Sequence, residues 1–207
     1  MHPRYLNDLE LPRFVVWMHR ERQPFRLCMA LMLYCGTRLS ETVNVCWSDL
    51  THLGEPKNAL VIDKDMSKTG RLRTIPIGPA LQHDVRDAWL NWAQPQHLHI
   101  CHSIACRNHS GIPMSNRQIE RRVEHIGKNA LGRRLTPHML RHTFATRLLK
   151  VTNIRAVQDM LGHQRLTTTQ IYTHPDQDQL RQAILDLDPA PDPPKLDDDD
   201  TERLQHR

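Results

Sequence analysis

The chain has no long hydrophobic run. Its longest, residues 27–35, is far short of the roughly 20 apolar residues that span a bilayer. Residues 1–10 are polar and carry no apolar stretch of a secretory leader, so no membrane partner is expected. A disulfide framework is also missing. The five cysteines, Cys28, Cys35, Cys46, Cys101 and Cys106, are odd in number and irregularly spaced, which reads as reduced thiols in a cytoplasmic protein. There is no internal repeat. Acidic residues are outnumbered 23 to 28, giving a net charge of +5 before the 14 histidines are counted. That balance excludes an acidic solvating protein and points to a polyanionic partner. What is present suffices for a core: 39% of the 207 residues are hydrophobic, which suits one domain, or a domain with a small appendage, and excludes wholesale disorder.

The charge is uneven. Residues 189–207 hold three basic and six acidic side chains, a net of −3, which leaves +8 on residues 1–188. With Pro189, Pro191, Pro193, Pro194 and an aspartate run, this tail is expected to stay outside any packed core. The expected organisation is a folded domain over residues 1–188 and an acidic, disordered extension over 189–207.

Periodicity places the elements. Asn7 and Glu10 have capping-box spacing for a first helix, although Pro12 is expected to cut across it. Pro24 opens a helix that buries Leu27, Ala30, Leu31 and Tyr34 on one face and ends at Gly36. A third helix, about 40–46, takes Ser40 as its cap. The period then shortens to two, predicting strands at 59–62 and 73–77 joined by a basic turn, Lys68-Thr69-Gly70-Arg71. Leu81, Val85, Ala88 and Trp92 mark another helix, 97–101 one more strand, and 111–113 a loop. Ser115 and Gln118 form a capping box ahead of Ile119, Val123 and Ile126. Thr136-Pro137 opens a helix with Leu140, Phe144 and Leu148 inward, and Asn153 caps one that ends at Gly162. Residues 170–174 read as a short helix or turn, and Leu180, Ala183, Ile184 and Leu187 as a last amphipathic helix. The fold class is α+β, mostly helical with one small antiparallel sheet.

Four segments carry chemistry: Gly36-Thr37-Arg38-Leu39-Ser40-Glu41, Lys68 on the turn, His138-Met139-Leu140-Arg141-His142, and Leu161-Gly162-His163 followed by Tyr172. His138 and Arg141 share a face near a helix N-terminus, where partial positive charge favours an anion. Two arginines can fork onto one phosphate, and a lysine on a hairpin tip can reach a leaving oxygen. Neutral tyrosine is a poor nucleophile, with an unperturbed pKa of about 10, and needs a base or nearby cations. Histidine supplies such a base.

These segments together resemble, over about residues 24–187, the catalytic domain of the tyrosine recombinases, the phage-integrase family. Gly36 to Glu41 resembles the family's first arginine box, His138 to His142 its His-x-x-Arg box, and Leu161-Gly162-His163 its final box. The resemblance implies that Tyr172 attacks a DNA phosphodiester to give a 3′-phosphotyrosyl link and a 5′-hydroxyl. It implies that Arg38 and Arg141 bind the phosphate, Lys68 protonates the leaving oxygen, His138 assists proton transfer and His163 hydrogen-bonds the phosphate. Lys68 is preferred over Lys64 because Lys68, Arg73 and Pro76 have the spacing of the family's hairpin. Glu41, one turn from Arg38, is expected to support it from behind. No cofactor is expected, because the covalent link stores the bond energy.

The implied function is site-specific recombination of double-stranded DNA: integration, excision, inversion or multimer resolution. A catalytically silent DNA-binding regulator and a topoisomerase-like nicking enzyme are the alternatives. Arg71, Arg73, Arg117, Arg121 and Arg122 are further candidate DNA contacts, the last three near one helical face. His142 and His174 are expected to be structural. His97, His99, Cys101, His102, Cys106 and His109 fit no familiar zinc spacing, so no metal is expected. The residues before Arg38 are too few for the family's usual N-terminal core-binding domain, so the chain resembles the short fimbrial-switch recombinases. Half a clamp implies reliance on oligomerisation, with a tetramer on DNA, and on accessory DNA-bending proteins. The last helix is placed to pack on a neighbouring subunit or to fold back on its own core.

Overall fold

The computed structural model describes residues 4–64, 66, 72–93, 102–106, 113–162 and 177–187. The expected turn at 68–71, strand at 97–101, loop at 111–112, helix or turn at 170–174 and acidic tail lie outside the described residues.

The centre of the fold is α2 (Phe25–Tyr34), whose residues Leu27 to Leu33 are all buried. The predicted single buried face is therefore too narrow. A run without a charged side chain suits a helix enclosed on all sides, and the helices Glu10–His19, Pro79–Ala88, Asn116–Leu131 and Pro137–Val151 pack around it. α1 (Glu10–His19) starts with a reciprocal cap. The Asn7 side chain accepts from the backbone N–H of Leu9 (3.0 Å) and Glu10 (2.9 Å), and Glu10 accepts from Asn7 N–H (3.1 Å). Pro12 does not interrupt it: it is the third residue of α1, and a proline is tolerated in the first turn of a helix.

α3 (Leu39–Thr42) is shorter than expected, and its N-cap is the extended Arg38, not Ser40. The Glu41 carboxylate accepts from Arg38 N–H at 2.7 Å, which leaves Ser40 inside the first turn. α4 (Trp47–Leu50) leads into a hairpin that periodicity does not predict, β1 (Thr51–His52) with β2 (Glu55–Pro56). The expected hairpin is β3 (Ala59–Ile62) with β4 (Arg73–Pro76), antiparallel in the register Leu60 to Ile75 and Ile62 to Arg73. There are thus two small antiparallel sheets among the described residues. α5 (Pro79–Ala88) runs into a π-helical turn, Trp89–Ala93, whose Trp89 packs on Trp47.

The remaining helices form where their caps predict. α6 (Asn116–Leu131) begins at the Ser115 and Gln118 pair. α7 (Pro137–Val151) begins at Thr136, which accepts from Met139 N–H. α8 (Ile154–Leu161) begins at Asn153 and ends at Gly162, whose φ is +65°. α9 (Gln177–Leu187) folds back on its own chain rather than outward. Its Leu180, Ala183 and Ile184 join Phe144, Leu148, Val157, Met160 and Leu161 in a second core, and Arg147 donates to the Leu187 carbonyl at 2.7 Å. No helix among the described residues is long and apolar enough to cross a membrane.

Candidate active site

The site is built where the start of α3, strand β4, the first turns of α7 and the end of α8 meet. Glu41 is fully buried, and its carboxylate gathers three donors. Arg38 N–H and Arg38 Nη1 each donate at 2.7 Å, and Arg73 Nη2 donates at 2.6 Å. Burial alone would raise this carboxyl, but the hydrogen bonds from Arg73 and Arg38 outweigh it and hold the pKa below the ordinary value of 4.5. Glu41 therefore holds Arg38 and Arg73 together.

Arg141 is 5% exposed and lies on α7. Its Nη1 donates to the Gly36 carbonyl and its Nη2 to the Leu161 carbonyl at 2.7 Å. Gly36 is needed for this approach: its φ is +61°, and a Cβ there would overlap the Phe144 ring. Burial, then the charge of Arg38, lowers the Arg141 pKa to about 10. It stays cationic at neutral pH, in an environment that disfavours the cation. Arg38 and Arg73 thus pair with the Glu41 carboxylate, while Arg141, bonded to backbone carbonyls, feels its charge only through space. The excess positive charge is what an anion would relieve.

His138 stands one turn before Arg141. Burial, then the charges of Arg141, His142, Arg38 and Arg4, holds its pKa below the ordinary 6.5. The imidazole is neutral at physiological pH and can accept a proton. Behind it, His142 lies edge-on to His138, stacks on Tyr5 with ring centroids 5.7 Å apart, and makes a 3.1 Å hydrogen bond to Thr146 Oγ1. Leu6 N–H donates to Thr143 Oγ1 at 2.8 Å, so residues 5 and 6 brace α7 from its other side. Neither Tyr5 nor Thr143 carries a sequence signal for this role, because both partners are remote in the chain.

The structure thus brings Arg38, Glu41, His138 and Arg141 together, while Lys68, Arg71, His163 and Tyr172 lie outside the described residues. One expectation needs correction. Arg73 is not an exposed DNA contact: it is 6% exposed, with Nη2 on Glu41 and Nε on the Met160 carbonyl at 2.9 Å. Its strand register carried the signal, since residue 73 shares the inward face with buried Ile75. Arg122, with its side chain 39% exposed, donates its Nε to Glu21 at 2.5 Å and lies over Phe25. Arg117 and Arg121 are different. With Arg134 they line an open groove beside Pro137, at the start of α7. Among the described residues no His, Cys, Asp and Glu cluster is arranged to hold a metal.

Residues 4–179 match the profile of the phage integrase family. The chain is 34% identical over 174 residues to the tyrosine recombinase XerD of Halalkalibacterium halodurans, covering 81% of this chain and 56% of that protein. The crystal structure of the XerA recombinase superposes with a TM-score of 0.65 at 26% identity, over 91% of this chain and 66% of that one. The XerH site-specific recombinase, in a post-cleavage complex with a palindromic difH substrate, gives a TM-score of 0.65 at 28% identity over 87% and 52%. The chain spans about half the length of the curated relatives it matches.

Proposed function

The chain belongs to the phage integrase family, and from that premise we propose that it is a site-specific recombinase that cuts and rejoins double-stranded DNA through a tyrosine. The observation that carries this reading is the site in which the charges of Arg38, Arg73 and Arg141 lie close together around the Glu41 carboxylate, which pairs with Arg38 and Arg73 but not with Arg141. A phosphodiester placed between Arg38 and Arg141 supplies the missing negative charge. As the phosphorane forms, charge builds on its non-bridging oxygens, where preorganised guanidinium groups act most strongly. The Tyr172 phenolic oxygen attacks phosphorus and its proton passes to neutral His138. The bond from phosphorus to the 5′-oxygen breaks, and Lys68 protonates the leaving oxygen. A 3′-phosphotyrosyl link and a free 5′-hydroxyl result, with His163 hydrogen-bonding the phosphate. Attack by a 5′-hydroxyl from another strand reverses these steps, so bond energy is conserved and strands are exchanged.

The same proposal takes residues 1–188 as the catalytic domain and 189–207 as an extension outside it. It takes several copies of the chain, four on a pair of sites, as the working assembly. The likeness to fimbrial-switch recombinases rests on chain length alone, whereas the matched relatives carry the Xer name, and the reading follows them. Arrangement of the DNA sites decides whether the outcome is integration, excision, inversion or resolution. The test is trapping on a nicked suicide duplex, in which the 5′-hydroxyl fragment diffuses away. The wild type accumulates a covalent protein–DNA adduct and Tyr172→Phe does not. Trapping by Tyr172→Phe, or none by the wild type, refutes the assignment.

A further inference from the structure

Resting on that recombinase reading, we infer that Arg73 is a positioning residue for the reaction, holding Arg38 and the end of α8 in register with each other. One side of its guanidinium holds Glu41, which in turn holds both the backbone and the side chain of Arg38. The other side, through Nε, holds the Met160 carbonyl in the last turn of α8. Gly162 then ends α8, and a Cβ there would come within 3.3 Å of Arg73 Cδ. His163 is the next residue in the chain, and Tyr172 follows in the same segment.

The chemistry favours arginine at this place. A planar guanidinium presents donors in a fixed fork, so one group sets the angle between two acceptors; an ammonium on a flexible stem does not. The acceptors are far apart in sequence, Glu41 32 residues and Met160 87 residues from Arg73, so this single side chain ties distant pieces of the site together. Its position at the C-terminal end of a helix is also favourable, since the last carbonyls of α8 carry partial negative charge. Arg141 makes a parallel tie, from the Gly36 carbonyl to that of Leu161. The two differ in surroundings: Arg73 Nη1 is buried beside Gly162 without a partner among the described residues.

The role predicts a loss of rate without a loss of binding. Cleavage of the nicked suicide duplex is followed in single turnover at saturating DNA, for wild type, Arg73→Lys and Arg73→Ala. DNA affinity and thermal unfolding are measured alongside. The amplitude reports the folded, competent fraction, and the rate constant reports the geometry within it. Arg73→Lys keeps the amplitude and Kd of wild type, while its rate constant falls about 100-fold, the order expected for a misplacement near 1 Å. In a Glu41→Gln background the same substitution lowers the rate little further, because the link is already cut. An unchanged rate constant, with only amplitude or melting temperature reduced, makes Arg73 scaffold and overturns the inference. Failure of Arg73→Lys to fold overturns it equally. A wild type that forms no adduct sinks the recombinase reading instead.

Discussion

Replacing Glu41 by glutamine keeps the volume of the side chain and removes its charge. The Glu41 side chain is fully buried, and the Arg73 side chain that it binds is 4% exposed while that of Arg38 is 22% exposed. Both oxygens accept from cationic groups, so an amide NH₂ at either position turns a donor toward a donor. Breaking a buried pair by neutralising one partner costs about 3–5 kcal/mol, a large share of a total near 5–15 kcal/mol. At roughly 2–4 °C per kcal/mol for a domain of this size, Glu41→Gln should melt about 10 °C below wild type at pH 7. The pH dependence has a definite sign. The folded-state pKa of Glu41 lies below 4.5, so its contribution is fully present above 4.5 and is lost as pH falls through the folded value. The gap between wild type and Glu41→Gln therefore narrows on acidification below 4.5. Circular dichroism melts from pH 7 to pH 3 read both effects. A gap at pH 7 of only a degree or two, or one that fails to narrow in acid, rules out a stabilising role for the Glu41 charge.

Other substitutions probe the remaining parts. Gly36→Ala forces a Cβ into the Phe144 ring at a positive φ and should destabilise by at least about 2 kcal/mol in denaturant unfolding. With its pKa held below 6.5, His138 stays neutral down to that pH. Single-turnover cleavage should therefore hold its rate from pH 8 to 6.5 and decline only below, and His138→Gln should be slow throughout and lack that acid limb. Arg117→Ala with Arg121→Ala should weaken DNA binding and reduce the salt slope by about 2, near 0.9 for each phosphate no longer neutralised; an unchanged slope assigns both to a solvated face.

The parts of the fold legible in the sequence are those written in a few adjacent residues. Asn7 with Glu10, Ser115 with Gln118, Thr136, Asn153 and Gly162 each satisfy or end a helix with their own side chain or backbone. Arg38 with Glu41, and His138 with Arg141, belong to the same class, being three apart on one helical turn. Pairings between remote segments are not legible in this way. β1 and β2 are two residues each, too short for any periodicity. Arg73 reads as a DNA-facing residue because its neighbours in sequence, Lys68 and Arg71, are basic. Its partners are a glutamate 32 residues before it and a carbonyl 87 residues after it. Alternation along β4 argues for burial, but nothing local names the carboxylate that makes burial of a cation tolerable. The last helix shows the same limit: its apolar face is plain in the sequence, whereas the surface it covers, on α7 and α8, is a property of the folded chain.

Everything proposed for the site depends on one tyrosine becoming covalently joined to DNA. The trapped adduct can be digested with trypsin and nuclease and the modified peptide sequenced by mass spectrometry. Cleavage after Arg165 and Arg181 yields a peptide whose single tyrosine is Tyr172. The expected finding is a nucleotide on that residue, joined through its 3′-phosphate, with a free 5′-hydroxyl on the other DNA end. A nucleotide on any other residue, or a link through a 5′-phosphate, would overturn the proposed chemistry.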